Sequence, residues 1–275
     1  MLLTCDIGNS SSVFGIFDEK SNIVKTFRID TFKISSLNDL KKILSKNFNL
    51  KDIRGACISS VVPSIDHVYK DFFKKFKINP LFISSKIKLN IHICAENPER
   101  LGSDRIANIS YAYFISQKFQ IVVDLGTALT IDVVDEKGNF LGGIIFPGLP
   151  SLAACLHQST EKLPSVNIVK VAKDTTKPLK LIETNTELSI TSGIYNGTIF
   201  LIKGFIENIC NYYNCDINDL DITFTGGQSY LLFENINLKG KKILDEFFTL
   251  KGIKYLYDLN LNHLFFHVPS CHDFK

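Results

Sequence analysis

Two short stretches of the chain carry the same order of residue types. DIGNSSSVFGIFDEK runs from Asp6 to Lys20, and DLGTALTIDVVDEK runs from Asp124 to Lys137. In each, a carboxylate ends a β-type run, and a glycine in the turn lets backbone N–H groups come close to an anion. Asn9, Ser10 and Ser11 in the first stretch, and Thr127 and Thr130 in the second, add small polar donors. A carboxylate beside such donors is what Mg²⁺–polyphosphate chemistry requires, since Mg²⁺ bridges carboxylate and phosphate oxygens, often through water. A third glycine turn, Thr225-Gly226-Gly227, follows a strand pattern and opens a helical one, where a nucleoside or phosphate can meet a helix N-terminus. No G-x-x-x-x-G-K-[ST] occurs and no G-x-G-x-x-G follows a strand, so neither a P-loop nor a Rossmann site is supported. The plainer reading of Asp6 and Asp124 is that they fix turn geometry through side-chain to backbone hydrogen bonds.

These turns need elements to hold them. LLTCDIG, SSVFGIF and IVKTFRI read as three strands, followed by a helix at SLNDLKKILSKNF with Ser36 as its N-cap. RGACISSVV reads as a buried strand, SIDHVYKDFFKKF as a helix, LFIS as a strand, and GSDRIANISYAYFISQKF as a helix of about four turns. The pattern then restarts with IVVDLG, LTIDVVD and FLGGIIF, and a helix that Pro147 begins. TNTELSITSGIYNGTIFLIKGFIENICNYYN is one long helix, or two broken near Gly193 or Gly204. Residues 163–180 read as irregular loop, and the tail after Tyr255 is unassigned. Laying Asp6 on Asp124 aligns Gly8 with Gly126, Asn9 with Thr127 and Ser12 with Thr130, but the two DEK turns fall one residue out of step. A repeat of this length predicts two similar α/β domains, 1–117 and 118–275, rather than a solenoid. Two unrelated hairpins are the alternative.

Composition narrows the function classes. Of 275 residues, 45% are hydrophobic and 21% charged with a net charge of +3, which suits a packed core and not a disordered chain. Lysines are spread along helical stretches such as YKDFFKKFK, the pattern of a solvated helix face, so nucleic acid is not an expected partner. Seven cysteines, an odd number without a C-x-x-C pair, several within apolar runs, point to a reducing, cytoplasmic compartment. No export signal or run of 18 apolar residues is visible, so no membrane association is expected.

The tandem D-x-G-N-S and D-x-G-T-A with a late TGG resemble the acetate and sugar kinase, Hsp70 and actin superfamily. Within it, the details are similar to type III pantothenate kinases. DIGNSSSVFG matches their phosphate loop and GSDRIAN (Gly102–Asn108) their substrate signature. VDLGTALTID, GGIIFPG (Gly142–Gly148), TEKLP (Thr160–Pro164) and TGGQS follow in order. The resemblance spans residues 1 to about 230. It implies two ribonuclease H-like, actin-like ATPase domains with a nucleotide cleft between them, and ATP-dependent phosphorylation of pantothenate in coenzyme A synthesis. It also implies a homodimer with shared active sites that needs Mg²⁺ and K⁺ or NH₄⁺. By the same resemblance Asp6, Ile7, Gly8, Asn9, Ser10, Ser11, Ser12, Val13 and Thr127 bind ATP, with Asp6 near Mg²⁺. Gly102, Ser103, Asp104 and Arg105 hold pantothenate, Asp104 is the catalytic proton acceptor, and Asp124 ligates the monovalent cation. Thr186 reaches the partner subunit's pantothenate. Ala95, where some relatives have an aromatic residue, and Glu161, in place of a small one, depart from the family pattern. A non-catalytic regulatory relative and a kinase for another hydroxylated substrate are the alternatives.

Read from the residues alone, Asp104 is either a base for an alcohol nucleophile or a helix cap. Arg105 offers a fork of donors to a carboxylate, or makes an ion pair. Asp132, in the second hairpin, either reaches a metal or is a core-edge carboxylate. His263, His267, Cys271 and His272 resemble a zinc ligand set by type, but Pro269 interrupts any helix there and coincidence is the better reading. After Thr186, Leu188, Ile190, Ile194, Ile199 and Phe200 look too apolar for one small domain to cover, which predicts a dimer-forming helix.

Overall fold

The computed structural model describes residues 1–174 and 179–265. The chain falls into two compact units: residues 1–111 with the segment from Thr249 onward, and residues 112–248. Its elements are β1 (Leu2–Ile7), β2 (Ser11–Phe17), β3 (Ile23–Asp30), α1 (Leu37–Asn47), β4 (Gly55–Ser60), α2 (Asp66–Lys75), β5 (Leu81–Phe82), β6 (His92–Ile93) and α3 (Ser103–Ile115). They continue as β7 (Gln120–Leu125), β8 (Ala128–Val134), β9 (Asn139–Pro147), α4 (Leu149–Gln158), α5 (Ile168–Asp174), α6 (Thr186–Tyr213), β10 (Asp221–Thr225), α7 (Ser229–Leu232), β11 (Lys241–Leu244) and α8 (Phe248–Phe265).

In the first unit the sheet order is β3-β2-β1-β4-β5, with β1 antiparallel to β2 and parallel to β4. Leu3, Cys5 and Ile7 point to one face with Phe14, Ile16, Ala56 and Ile58, where Leu40 and Leu44 of α1 and Tyr69, Phe72 and Phe73 of α2 cover them. Period-2 alternation puts Thr4 and Asp6 on the opposite face. α1 starts where the capping signal placed it, with the Ser36 side chain accepting the Asp39 N–H.

The second unit repeats the plan, with β11-β10-β7-β8-β9 in order. Ile121, Val123, Leu125, Ile131, Ile222 and Phe224 face a core closed by α4, α5 and α6. The other face carries Asp124, Asp132, Thr223 and Thr225, as the cross-strand register requires.

Duplication extends to single hydrogen bonds. Asp18 accepts from the N–H of Lys20 and Asn22 and from Asn22 Nδ2, while Asp135 accepts from the N–H of Lys137 and Asn139 and from Asn139 Nδ2. Both turns place their fourth residue at positive φ, Ser21 at 67° and Gly138 at 81°. The one-residue offset between the DEK turns arises in the preceding turn. Gly8 N–H bonds to Ser11 O, whereas Gly126 N–H bonds to Ala128 O, so the first turn is one residue longer. Asp6 pairs with Val13 and Asp124 with Thr130, so Val13, not Ser12, is the counterpart of Thr130.

One expectation is corrected, one open alternative is resolved and one is narrowed. Residues 168–174 form α5, because Ile168 and, in part, Val171 bury in the core beside α4 and α6, an apolar demand that a loop reading overlooks. α6 runs unbroken for 28 residues through Gly193 and Gly204, since its buried face outweighs the roughly 1 kcal/mol that each helical glycine costs. That face already covers Ile190, Ile194 and Ile199 within the unit, which leaves Phe200 as the large exposed apolar residue of the predicted set. No described helix is long and apolar enough to cross a membrane.

Candidate functional site

The first turn, Gly8 to Ser11, projects from the C-terminal end of β1, where strand ends of open α/β sheets place ligands. Asp6 lies between Val13 of β2 and Ser59 of β4, half-buried. Ser59 Oγ donates to Asp6 Oδ1 at 3.2 Å and stands 3.0 Å from Ser103 Oγ. Because the Ser59 proton goes to Asp6, Ser103 Oγ is the donor to Ser59, and it shares its one proton with Ser60 O, 3.1 Å away. The β1 carboxylate is therefore joined through two serines to the first residue of α3, and Asp104 is the next. The structure brings Asp6, Ser103 and Asp104 together although nearly a hundred residues separate them in sequence.

Asp104 lies in the first turn of α3, where Oδ1 accepts the N–H of Arg105 at 2.8 Å. Burial pushes its carboxyl above the usual carboxylate range, and the Arg105 N–H and guanidinium oppose that only in part. Asp104 thus combines a helix N-terminal role with a basicity raised in the direction that suits a proton acceptor.

Not every residue of the 6–13 stretch can touch a ligand. Asn9 and Ser10 are exposed, and Gly8, Ser11 and Val13 are partly so. Ile7 and Ser12 are 0% exposed: their side chains enter the core behind the turn, so they support the site instead of lining it. Ser11 Oγ accepts from Arg28 Nη1 at 3.0 Å, a cationic neighbour of the turn that motif reading did not single out.

In the second unit Asp124 lies between Thr130 and Thr225. Gly226, at φ 88°, packs so closely that a Cβ there would strike Asp124 Oδ1 and the Leu125 carbonyl. Gln228 N–H bonds to Leu125 O at 3.1 Å, so the TGG turn is latched to the end of β7. Thr225 Oγ1 is buried without a hydrogen-bond partner on the face that carries Asp124. An oxygen orphaned beside a carboxylate suits a large, weakly hydrated cation. Thr127 is exposed, and its carbonyl accepts from Gly148 N–H and Ser151 Oγ, each at 2.9 Å. At Gly148 any Cβ would collide with the carbonyls of Gly126 and Thr127.

Thr186 is exposed at the start of α6, one residue after the Asn185 cap. Asp132 is 1% exposed and lies on the same face of the sheet as Asp124. Glu161 is exposed and Ala95 half-buried. The His263, His267, Cys271 and His272 set lies outside the described residues as a group. Among the described residues no group of three or more His, Cys, Asp or Glu is placed to hold a metal ion.

Comparison with known proteins follows the same lines. The sequence profile of the type III pantothenate kinase family matches residues 2–208. A type III pantothenate kinase of Sulfurihydrogenibium sp. (strain YO3AOP1) is 36% identical over 262 residues, covering 93% of this chain and 99% of that protein. One from Shouchella clausii is 34% identical over 268 residues, covering 94% and 100%. Among solved structures, a ROK family glucokinase from Streptomyces griseus superposes with a TM-score of 0.54 at 12% identity, over 94% of this chain and 99% of that one. The activator of the 2-hydroxyisocaproyl-CoA dehydratase from Clostridium difficile gives 0.54 at 12% identity, over 96% of both chains. At such identities the likeness concerns the fold alone.

Proposed function

The chain belongs to the type III pantothenate kinase family, and we propose how its residues divide the work of that family's reaction. It is a kinase that transfers a phosphoryl group from ATP to pantothenate, giving 4'-phosphopantothenate, the first step of coenzyme A synthesis. Its fold is that of the acetate and sugar kinase, Hsp70 and actin superfamily. We place the seam between the two repeats, 1–117 and 118–275 by sequence, at the step from α3 to β7, with the segment from Thr249 onward returning to the first unit.

The observation that carries the assignment is the chain Asp6–Ser59–Ser103, which couples the phosphate turn to the residue before Asp104. The turn from Gly8 presents N–H groups and the Asn9 and Ser10 side chains to the ATP phosphates, and Thr127 is read as a further ATP contact. Gly102 to Arg105 hold pantothenate, with the Arg105 fork directed at its polar groups. Asp104 orients the primary hydroxyl and takes its proton late, as the loose phosphoryl-transfer transition state allows. A divalent ion accompanies ATP in this chemistry. Mg²⁺ fits a site built from Asp6, water and phosphate oxygens, and when bound it neutralises phosphate charge. Asp124 and the orphaned Thr225 hydroxyl suit K⁺ or NH₄⁺.

We propose a homodimer in which Thr186 serves the partner's pantothenate. Gly193, Gly197, Phe200 and Gly204 recur at helical spacing along α6. Phe200 is 57% exposed, and a Cβ at any of the three glycines would meet no other atom, so this face is open to a second copy's helix. A cytoplasmic setting fits the cysteines, since all six in the described residues are free. The direct test is a panel of small hydroxylated acids with purified protein, ATP and Mg²⁺. Pantothenate should be phosphorylated at a rate well above the others, and a preference for a different alcohol would overturn the substrate assignment.

A further inference from the structure

We propose that Thr31 is a positioning residue for ATP, holding the first turn so that its amide groups face the polyphosphate. The inference rests on reading residues 8–13 as the phosphate loop. Thr31 directly follows β3 and is 4% exposed, so it does not itself touch a ligand. It makes three bonds to the hairpin. Its Oγ1 donates to Gly8 O at 2.6 Å, its N–H donates to Ser10 O at 3.1 Å, and its Oγ1 lies 2.9 Å from Ser12 Oγ. Because its one hydroxyl proton goes to Gly8 O, Ser12 must be the donor in the last pair.

The consequence for phosphate binding follows from peptide geometry. A carbonyl oxygen directed at a phosphate repels it, so the turn's carbonyls must be held away from the ligand. Ser11 O is taken by Gly8 N–H, and Gly8 O and Ser10 O are both taken by Thr31. In a planar trans peptide, C=O and N–H point opposite ways. Fixing Gly8 O toward Thr31 therefore turns the Asn9 N–H to the outside of the turn. Glycine at position 8 leaves that peptide free to rotate if the hydroxyl is lost.

The second repeat shows why the brace is specific to the first. By strand register Gly148 occupies the place of Thr31, and its N–H makes the equivalent bond to Thr127 O. That turn is one residue shorter, a side chain at 148 would collide with it, and the added hydroxyl comes from Ser151 instead. In the longer turn a buried threonine hydroxyl holds the glycine carbonyl.

The test uses full-length Thr31→Val, which keeps the shape and removes the hydroxyl, with Thr31→Ser as the rescue and Asp6→Asn as a control on the loop. Steady-state kinetics and AMP-PNP titration are measured for each. Thr31→Val should raise the KM for ATP and the Kd for AMP-PNP roughly tenfold, as expected for losing a buried hydrogen bond that holds a binding group. The KM for pantothenate should stay within about twofold, and Thr31→Ser should recover most of the nucleotide affinity. Unchanged nucleotide affinity in Thr31→Val, an equal rise for both substrates, or a serine variant no better than valine each overturns the proposal. If Asp6→Asn weakens AMP-PNP binding while Thr31→Val does not, the brace alone is wrong. If neither does, the phosphate-loop reading fails with it. Should Thr31→Val not fold, Thr31→Cys, whose thiol is a weak donor, is judged by the same criteria.

Discussion

Replacing Asp104 by asparagine separates catalysis from folding with little change in volume. The amide oxygen still accepts the Arg105 N–H that Oδ1 now accepts at 2.8 Å, so the start of α3 is preserved. What is lost is the proton acceptor, worth about 10²- to 10⁴-fold in turnover, or roughly 3–5 kcal/mol of barrier. Stability should move the other way. The folded chain raises the Asp104 carboxyl above its ordinary range, so between the unfolded and folded values the native state holds the extra proton. Stability from this group is then full below the unfolded value and is lost as pH rises through the folded one. Asparagine carries no such charge, and at neutral pH the variant should melt at or above the parent temperature. The parent should also show an acidic limb in kcat, falling as pH drops through the raised value, which the variant lacks. An ADP-release assay with pantothenate, paired with thermal melts, measures all three. Turnover within about threefold of the parent would refute the role of Asp104, and a large drop in melting temperature would reassign the loss of activity to misfolding.

Two further outcomes test the remaining assignments. Exchanging Na⁺ for K⁺ or NH₄⁺ should raise the rate, and Asp124→Ala should abolish that response. Equal rates in Na⁺ and K⁺ for the parent would remove the reason to place a monovalent cation at Asp124. Mixing inactive Asp104→Asn and Thr186→Arg subunits should restore part of the activity, because one site of a mixed dimer carries neither lesion. A fully active monomer by light scattering would refute both the shared site and an α6 interface, which as an obligate dimer contact should bury roughly 2,000 Å² or more.

The sequence by itself determined the repeated β-β-β unit, the Ser36 cap and the glycine turns, because each depends on residues within a few positions of one another. Turn chemistry at Asp18 and Asp135, and alternation along β1 and β7, are local properties of that kind. The identity of the GSDR segment was also legible, through its resemblance to a family rather than through its own physics. Tertiary structure decided what depends on distant partners. Ser12 lies in a polar run and reads as a ligand contact, yet the pleat turns it into the core, where Thr31 meets it. α5 was missed because its apolar residues are few and gain helical character only against α6. The isoleucines of α6 look like an interface until the sheet of their own unit is seen to cover them. Even the one-residue slip between the repeats was visible as an offset in the sequence, but only the hydrogen bonds of Gly8 and Gly126 located it in the turn. Local patterns specify which way a backbone bends; which side of it faces solvent is set by whatever packs against the other side.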